Sequence, residues 1–413
     1  MTGLPPASER LRRWSAHFLA LTMAGAVLLL FVPRLWINPI LFQSGLFLLA
    51  AGWAIALAIR PFELRFSPPS VLLACAAAWG GLQLAAGWTV GRADTRMAVL
   101  LWLGNLLAFL LASQVCASAP VRRRFLDTLL YFACVLCAVS VMQYFSWDGK
   151  VFWLFPAPGR AVLGPFLNRD QYAAFVEMVL PLALVRAMEA GSRPVRFAVF
   201  AAGLYASVIA GASRAGAILL TAEIVAVPLV LMAKGRMRRD HVRSAAIHVW
   251  ALALVFAAVV GWAVLIGRFA EPDPLLGRRV MLSDTIAMIR ARPFTGFGLG
   301  TFRTVYPAYS SFDFGSVVTH AHNDWAEWAA DGGIPFGLLM VSIALWSIPK
   351  AVRTVWGVGL IAVFVHSLVD FPLAKPVLDL WLFALLGAIA AETARPPRRA
   401  SGWADRLPIL PSR

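Results

Sequence analysis

The chain has 413 residues, of which 60% are hydrophobic and 14% are charged. Soluble globular domains average roughly 45–50% apolar and about 25% charged residues, so this composition argues against a soluble protein and indicates one embedded in a bilayer. The 37 lysines and arginines outnumber the 21 acidic residues, giving a net charge of +16. In a membrane protein we expect this excess to flank helices on the cytoplasmic side rather than to bind nucleic acid.

Windows of about 19 apolar residues predict about 12 transmembrane helices. The predicted spans cover residues 16–32, 40–59, 70–88, 97–115, 125–146, 170–189, 195–212, 214–233, 245–267, 333–349, 355–370 and 376–393. Because they nearly fill the chain, we expect an all-α polytopic protein that forms a single membrane domain over residues 1–413. Cys134 and Cys137 form a C-x-x-C pair inside one span, where packing is favoured over redox or zinc chemistry.

Basic residues set the expected orientation. If the basic segment 10–13 lies in the cytoplasm, alternate connections on that side are all basic, and so is the C-terminal segment 395–399. This pattern satisfies the positive-inside rule and predicts that both termini are cytoplasmic.

Two stretches on the opposite, outer face are longer than helix connections require, residues 147–169 and 268–332. Long outer loops are candidates for function. The second stretch predicts a helix over about 276–291, then a glycine-rich loop, then a helix that starts near Thr319 and breaks at Gly332-Gly333.

Four arginines are candidates for binding an anion on the outer face. Arg214 lies at a helix junction, Arg278 and Arg279 open the loop helix, and Arg169 lies in the other outer loop. An arginine near the membrane edge is often a snorkelling anchor. Several guanidinium groups on one face instead suit a diphosphate, because each stays charged and can bind phosphate with two parallel hydrogen bonds.

The densest polar cluster is the segment His320-Ala321-His322-Asn323-Asp324. A histidine at the edge of the membrane can act as a general base near neutral pH, and Asn323 could orient a sugar hydroxyl or the imidazole. Two alternatives remain open: a cation held by the histidines and Asp324, for which no further ligand set is evident, and a helix N-terminus rich in capping residues.

Two further segments carry polar or glycine-rich patterns. The G-x-G-x-G pattern in 294–300 has no preceding strand, so a tight turn or a close backbone approach is favoured over a nucleotide loop. His366 and Asp370 lie at the end of a predicted span. Ionisable side chains cost free energy at that depth, so these two indicate either a function or a structural pair with each other.

These segments together resemble the O-antigen ligase and polymerase superfamily. Its G-x-F-x-N entry to a span resembles residues 164–169, and its Ser-Arg-Gly-Ala element resembles residues 213–216. Its periplasmic arginine helix and glycine loop resemble Arg278-Arg279 followed by 293–302. Its His-Asn-x9-Gly motif resembles His322-Asn323 with Gly333. The similarity covers roughly residues 160–375 and departs at the family's next glycine, where Phe336 stands and Gly337 follows.

The resemblance implies a bacterial inner-membrane glycosyltransferase with a periplasmic active site. Such proteins take a glycan from an undecaprenyl-diphosphate carrier and pass it to an acceptor hydroxyl. The resemblance implies an inverting transfer that uses neither metal nor cofactor. A ligase, whose acceptor is lipid A–core, is favoured narrowly over a polymerase, whose acceptor is another lipid-linked glycan. A non-catalytic transporter is the less favoured class, because transporters tend to show internal repeats and broken helices at the midplane.

On this interpretation, Arg214 with Arg278 or Arg279, and Arg169, would bind the carrier diphosphate. His322 would be the base, Asn323 would support it, and His320 would be the second choice as base. A fixed cluster of arginines would stabilise the charge that develops on the diphosphate leaving group.

Overall fold

The computed structural model describes residues 6–32, 37–157, 162–189, 194–235, 237–271 and 276–394. The basic C-terminal segment 395–399, and parts of the predicted outer stretches 147–169 and 268–332, lie outside these ranges.

The described residues form helices, connecting loops of varied length and one small hairpin. The helices are α1 (Glu9–Leu28), α2 (Ile37–Ile59), α3 (Pro68–Ala85), α4 (Arg92–Val115), α5 (Ala119–Phe145), α6 (Arg169–Met188), α7 (Pro194–Gly211), α8 (Arg214–Ala233), α9 (Arg239–Val260), α10 (Ala263–Phe269), α11 (Leu276–Ala291), α12 (Phe302–Val305), α13 (Asp324–Thr354), α14 (Val358–His366) and α15 (Pro376–Thr393). The hairpin pairs β1 (Lys150–Val151) with β2 (Phe155–Pro156) in antiparallel register.

Nine helices in the described ranges are long and apolar enough to cross a bilayer, namely α2, α3, α4, α5, α6, α8, α9, α13 and α15. Helix α7 is apolar but shorter. Helix α14 fills most of the predicted span 355–370 with nine residues. Such a helix rises only about 14 Å, less than half of the roughly 30 Å hydrocarbon core. The all-α, polytopic membrane fold predicted from the sequence is confirmed.

Helices α6 and α15 form the centre of the bundle. The apolar window of α6 is 94% buried inside the protein and that of α15 is 83% buried, against 22% for α2 at the periphery. Both central helices begin at the end of the bundle where α5 and α7 finish. We call it the cavity end, because a polar cavity opens there. The first turn of α6 and the connection that precedes α15 therefore bring polar residues together, and Asp170 and Asp370 both contact Arg278 there.

The glycine-rich loop packs against the start of α13. Gly296 has a φ of +62°, and a Cβ there would collide with the Asp331 carbonyl, so the close backbone approach predicted from the pattern is confirmed. Gly333 has a φ of +75° and a non-helical conformation inside α13, which makes the predicted break a kink. Gln83 donates hydrogen bonds to the carbonyls of Thr295 (2.7 Å) and Asp331 (2.9 Å), and so ties α3 to both segments.

Helix α13 begins at Asp324, five residues later than the predicted start near Thr319. The reason lies in the backbone of His322, whose φ of +51° is left-handed and cannot continue a right-handed helix. Asn323 follows as the N-cap, and its side-chain oxygen accepts a hydrogen bond from the Ala326 amide at 3.0 Å. The helix therefore starts directly after the histidine.

Candidate functional site

A cavity of about 680 Å³ opens at the cavity end. It contains three of the residues predicted to act, Arg169, Arg278 and His322, and two charged residues that were not predicted, Asp170 and Arg268. Its full lining is Tyr144, Val162, Leu163, Phe166, Leu167, Asn168, Arg169, Asp170, Gly211, Val264, Arg268, Arg278 and His322. One wall is therefore apolar, and the polar wall carries three arginines and one histidine.

Asp370, in the connection between α14 and α15, joins two of these groups. Arg278 Nη2 lies 2.7 Å from Asp370 Oδ2, and His322 Nδ1 lies 3.3 Å from Asp370 Oδ1. The Phe371 amide also donates to Oδ1, at 2.9 Å. Burial disfavours the charged carboxylate, but His322 and the positive charge of Arg278 outweigh it and lower the pKa of Asp370. Asp370 is therefore an ionised group that holds a histidine and an arginine together.

A second carboxylate, Asp170, lies on the other side of Arg278. Arg278 Nη2 is 3.6 Å from Asp170 Oδ2, and Ser213 Oγ donates to Asp170 Oδ1 at 2.6 Å. Asp170 occupies the first turn of α6, where the Asn168 side chain caps the helix and accepts from the Asp170 amide. Arg278 is thus fixed between two carboxylates while its side chain stays 27% exposed.

The same region tests the expectation that no metal is used. Ligand atoms of Asp170, His366 and Asp370 lie within 4.8 Å of one another, a spacing that could hold a cation. The Arg278 guanidinium, however, already contacts both carboxylates. A metal ion would have to displace this arginine, so the donor set fits an arginine better than a metal.

His322 is held with its ring toward the cavity by its backbone and by Phe371. Its side chain is 30% exposed, and its ring meets the Phe371 ring edge-on, with centroids 4.5 Å apart. The left-handed backbone costs on the order of 1–3 kcal/mol for a residue other than glycine. Such strain is typical of functional positions, where the surrounding structure enforces one conformation.

The neighbours of His322 have structural contacts. Asn323 caps α13, and its Nδ2 donates to the Leu368 carbonyl at 2.8 Å, so both ends of its amide are used by the backbone. His320 does not line the cavity. Its Nδ1 lies 3.0 Å from Glu327 Oε1, and its ring stacks on Phe371. Asn323 and His320 are therefore placed to position His322 and the connection that carries Asp370.

The other predicted arginines contribute differently. Arg214 does not line the cavity. Its Nη1 donates to the Arg268 carbonyl at 2.8 Å and lies 3.2 Å from Glu271 Oε2. Arg214 thus supports Arg268, which does line the cavity. In α11, Arg278 faces the cavity, whereas its neighbour Arg279 is exposed and is not part of the lining.

The Nδ1 atom of His366 lies 2.8 Å from Glu177 Oε1 and therefore pairs with Glu177 rather than with Asp370. Both side chains are fully buried. Asp170, Glu177 and Arg268 are not among the residues predicted from the sequence. The signal that could have found Asp170 and Glu177 is the cost of placing a carboxylate within a predicted span, here 170–189.

The arrangement can bind an anion and accept a proton within one cavity. Three guanidinium groups suit phosphate oxygens. His322 Nδ1 lies 3.3 Å from the Asp370 carboxylate, so a tautomer with its proton on Nδ1 would leave Nε2 as the proton acceptor.

One comparison with known proteins gives a match. Residues 197–342 match the family model described as O-antigen ligase. No curated protein matches the chain. The matched range contains α8, α11, the glycine-rich loop and His322, whereas Asp170 and Asp370 lie outside it. The match confirms the resemblance to the O-antigen ligase superfamily over this range, and the long apolar helices show a polytopic membrane protein.

Proposed function

We propose that the protein transfers a glycan from undecaprenyl diphosphate to the hydroxyl of an acceptor, as an O-antigen ligase whose acceptor is lipid A–core. The observation that carries this proposal is the single carboxylate, Asp370, shared by His322 and Arg278 at the cavity wall. It places a candidate base and a candidate phosphate ligand beside the two oxygens of one carboxylate, so both can face one bound donor, as a displacement on a carrier-linked sugar requires.

The donor diphosphate is assigned to the arginine wall. Arg169, Arg268 and Arg278 all face the cavity, and Arg278 is held in place by two carboxylates. When the bond between the sugar and the diphosphate breaks, its electron pair leaves with the diphosphate. Guanidinium groups fixed in advance stabilise that charge without reorganising, an effect typically worth a few kcal/mol.

The acceptor is assigned to His322. The acceptor oxygen attacks the anomeric carbon on the face opposite the leaving diphosphate, so the configuration inverts, and the hydroxyl proton moves to His322 Nε2. Asp370, 3.3 Å from Nδ1, stabilises the imidazolium that forms, as carboxylates do for catalytic histidines elsewhere. The positive charge of the arginines supports leaving-group departure without a metal ion.

The remaining candidates act on these groups. Arg214 holds Arg268 through its carbonyl, and Asn323 holds the connection that carries Asp370. His320 is assigned a positioning role, because its Nδ1 faces Glu327 rather than the cavity. The stretches 147–169 and 268–332 would form the periplasmic cover of the site, with both termini in the cytoplasm of a bacterial inner membrane.

The test uses purified protein in proteoliposomes with an undecaprenyl-diphosphate glycan, and products are read by mass spectrometry with and without added lipid A–core. Transfer only when lipid A–core is present supports the ligase. Longer carrier-linked glycans formed without it would identify a polymerase instead. No product from folded protein with several glycan donors would overturn the enzymatic proposal in favour of a transport role.

A further inference from the structure

A second basic surface lies at the cavity end, outside the cavity. We call it the arginine patch, and its members are the exposed residues Arg92, Arg96, Arg290, Arg292 and Arg303. The two segments that carry them, 88–98 and 288–304, contain one acidic residue, Asp94. Five positive charges therefore stand against one negative charge, an excess of four.

The two segments meet where α4 begins. A Cβ built on Gly91 would lie 3.2 Å from the side chain of Thr301, which precedes α12. Arg92 directly follows Gly91, and Arg303 lies two residues beyond Thr301. The contact therefore brings arginines from distant parts of the chain to one junction.

Arg292 is held at the same junction by two contacts. Its Nη1 donates to the Trp88 carbonyl at 3.1 Å, and its guanidinium lies over the Phe297 ring, 4.7 Å from the centroid. The Val90 amide in turn donates to the Phe297 carbonyl at 2.9 Å. Because the guanidinium is fixed while the residue stays exposed, it is preorganised to contact a ligand from outside.

These charges are unfavourably placed unless they meet an anion. Arg92 opens α4, where the helix dipole disfavours a cation. Basic residues of membrane proteins concentrate on the cytoplasmic side, whereas the orientation predicted from the sequence places the cavity end outside. Arg214 and Arg278 contact carboxylates, but within the described ranges none of the patch arginines pairs with one. Their charge is therefore available to an external anion.

Apolar side chains are exposed among the arginines. Phe294 is 72% exposed and follows Arg292 by two residues, and Val90 is 47% exposed and precedes Arg92 by two. Cationic and apolar groups side by side suit the boundary between headgroups and acyl chains. The patch therefore fits an anionic lipid better than a soluble anion.

We propose that the arginine patch binds the phosphate groups of the acceptor lipid. The proposal rests on the proposed function, in which the acceptor is lipid A–core, a glycolipid with more than one phosphate on its headgroup. Guanidinium groups bind phosphate oxygens through charge-assisted hydrogen bonds. Five of them, spread over three parts of the chain, suit several phosphates, whereas a phospholipid with a single phosphate would use only some of them.

The distance between patch and cavity suits a large acceptor. Arg278, in the cavity, and Arg290, in the patch, both belong to α11, and the rise between them is about 18 Å. With its phosphates held at the patch, the glycolipid extends its oligosaccharide along α11 and presents a hydroxyl to His322. The acceptor is thus positioned by contacts remote from the reacting atoms.

A triple substitution tests the proposal by removing charge from the patch. It combines Arg92→Gln, Arg290→Gln and Arg303→Gln, all at exposed positions. Arg292 stays unchanged, because it contacts the protein itself. Since the substituted side chains are exposed, the variant should fold, and thermal unfolding in detergent checks this.

The control variant removes the same charge from the opposite end of the bundle. It combines Arg60→Gln, Arg124→Gln and Arg243→Gln, which are also exposed. Arg60 follows the end of α2, and the other two lie near the starts of α5 and α9. Loss of net charge alone would affect both variants equally.

Binding is measured by native mass spectrometry in detergent, with lipid A, phosphatidylglycerol and undecaprenyl diphosphate as probes and inorganic phosphate as competitor. One arginine at an anionic lipid surface contributes roughly fivefold in affinity. The patch variant should therefore bind lipid A about ten- to hundredfold more weakly than wild type. Binding of undecaprenyl diphosphate should not change, because the arginines of the cavity are intact. The control variant should match wild type with every probe.

Four results would overturn the proposal. Unchanged binding of lipid A to the patch variant, or an equal loss in the control variant, would show that the patch does not bind it. Equal binding of phosphatidylglycerol and lipid A by wild type would identify a general phospholipid surface, and displacement of lipid A by equimolar inorganic phosphate would identify a free-anion site. None of these results depends on glycan transfer. An absence of transfer would count against the proposed function, whereas the binding readout would still decide the patch.

Discussion

Asp370→Asn tests whether Asp370 assists the proposed transfer reaction or only stabilises the fold. Asparagine keeps the shape of aspartate and can still accept the hydrogen bond from the Phe371 amide, but it removes the charge from beside Arg278 and His322. The imidazolium formed during transfer then loses its stabilising carboxylate, and Arg278 loses the nearer of its two anchors.

The expected loss follows from these two contacts. General-base catalysis by a positioned group contributes typically 10²–10⁴-fold, and loss of the carboxylate behind a catalytic histidine has effects of similar size. We therefore expect kcat to fall by about 10²–10⁴-fold, or about 2.7–5.4 kcal/mol of transition-state stabilisation. Binding of the donor should weaken less, because Arg169 and Arg268 still face the cavity.

The same carboxylate contributes to stability with a definite pH dependence. Because the pKa of Asp370 is lowered in the folded protein, its contribution is complete above the ordinary aspartate value of about 3.9 and disappears only as the pH falls below it. A comparison of wild type and Asp370→Asn at neutral pH thus measures the whole contribution. It should be only about 1–2 kcal/mol, since Arg278 is partly exposed and solvent screens the pair.

The assay is transfer in proteoliposomes, with thermal unfolding in detergent as the check on folding. Asp313→Asn is the control, because Asp313 is an exposed aspartate whose contact is a local hydrogen bond with the Gly315 amide. It should retain wild-type activity. If Asp370→Asn folds and transfers glycan within about threefold of wild type, Asp370 does not assist His322 and the shared-carboxylate mechanism is refuted.

Three further predictions follow the same contacts. His322→Ala should cut turnover by about 10²–10⁴-fold in the transfer assay, and activity within a few-fold of wild type would remove His322 from the mechanism. Arg214→Lys keeps the positive charge but loses the planar guanidinium, which can donate two parallel hydrogen bonds, so glycan transfer should fall strongly. Near-normal transfer would mean that Arg214 is only a membrane anchor. Arg278→Ala should weaken undecaprenyl diphosphate binding at least about tenfold, whereas Arg279→Ala should change it less than about threefold; the opposite order would exchange their roles.

Local sequence patterns predicted the structural features that depend on residues close together in the chain. Apolar windows located the long helices because a bilayer requires about 20 apolar residues per span. The glycines at 296 and 333 marked backbone positions that other residues cannot occupy, and those positions are where loop and helix touch. The capping interpretation of Asn323, one alternative among several, also follows from local chemistry and describes its contacts.

Tertiary contacts explain what the sequence could not show. His322 and Asp370 meet across 48 positions of the chain, and Arg278 meets Asp370 across 92. No spacing rule predicts such meetings, because they depend on how α11, α13 and α14 pack at the cavity end. Likewise the sequence pattern predicted Arg214 and not Arg268 as a phosphate ligand, and only the fold shows that Arg268 lines the cavity whereas Arg214 does not.

The short length of α14 accounts for an ionisable pair, His366 and Glu177, that is buried in the bundle. A nine-residue helix cannot bring its following turn to the membrane edge by length alone, so the depth of that turn has to be fixed by contacts. His366 supplies one, at 2.8 Å from Glu177 of the central helix α6, and the Ser367 carbonyl accepts from the Asp324 amide at 2.9 Å. Asp370 follows three residues later. The position of the carboxylate that joins His322 and Arg278 therefore rests on polar contacts made inside the bundle.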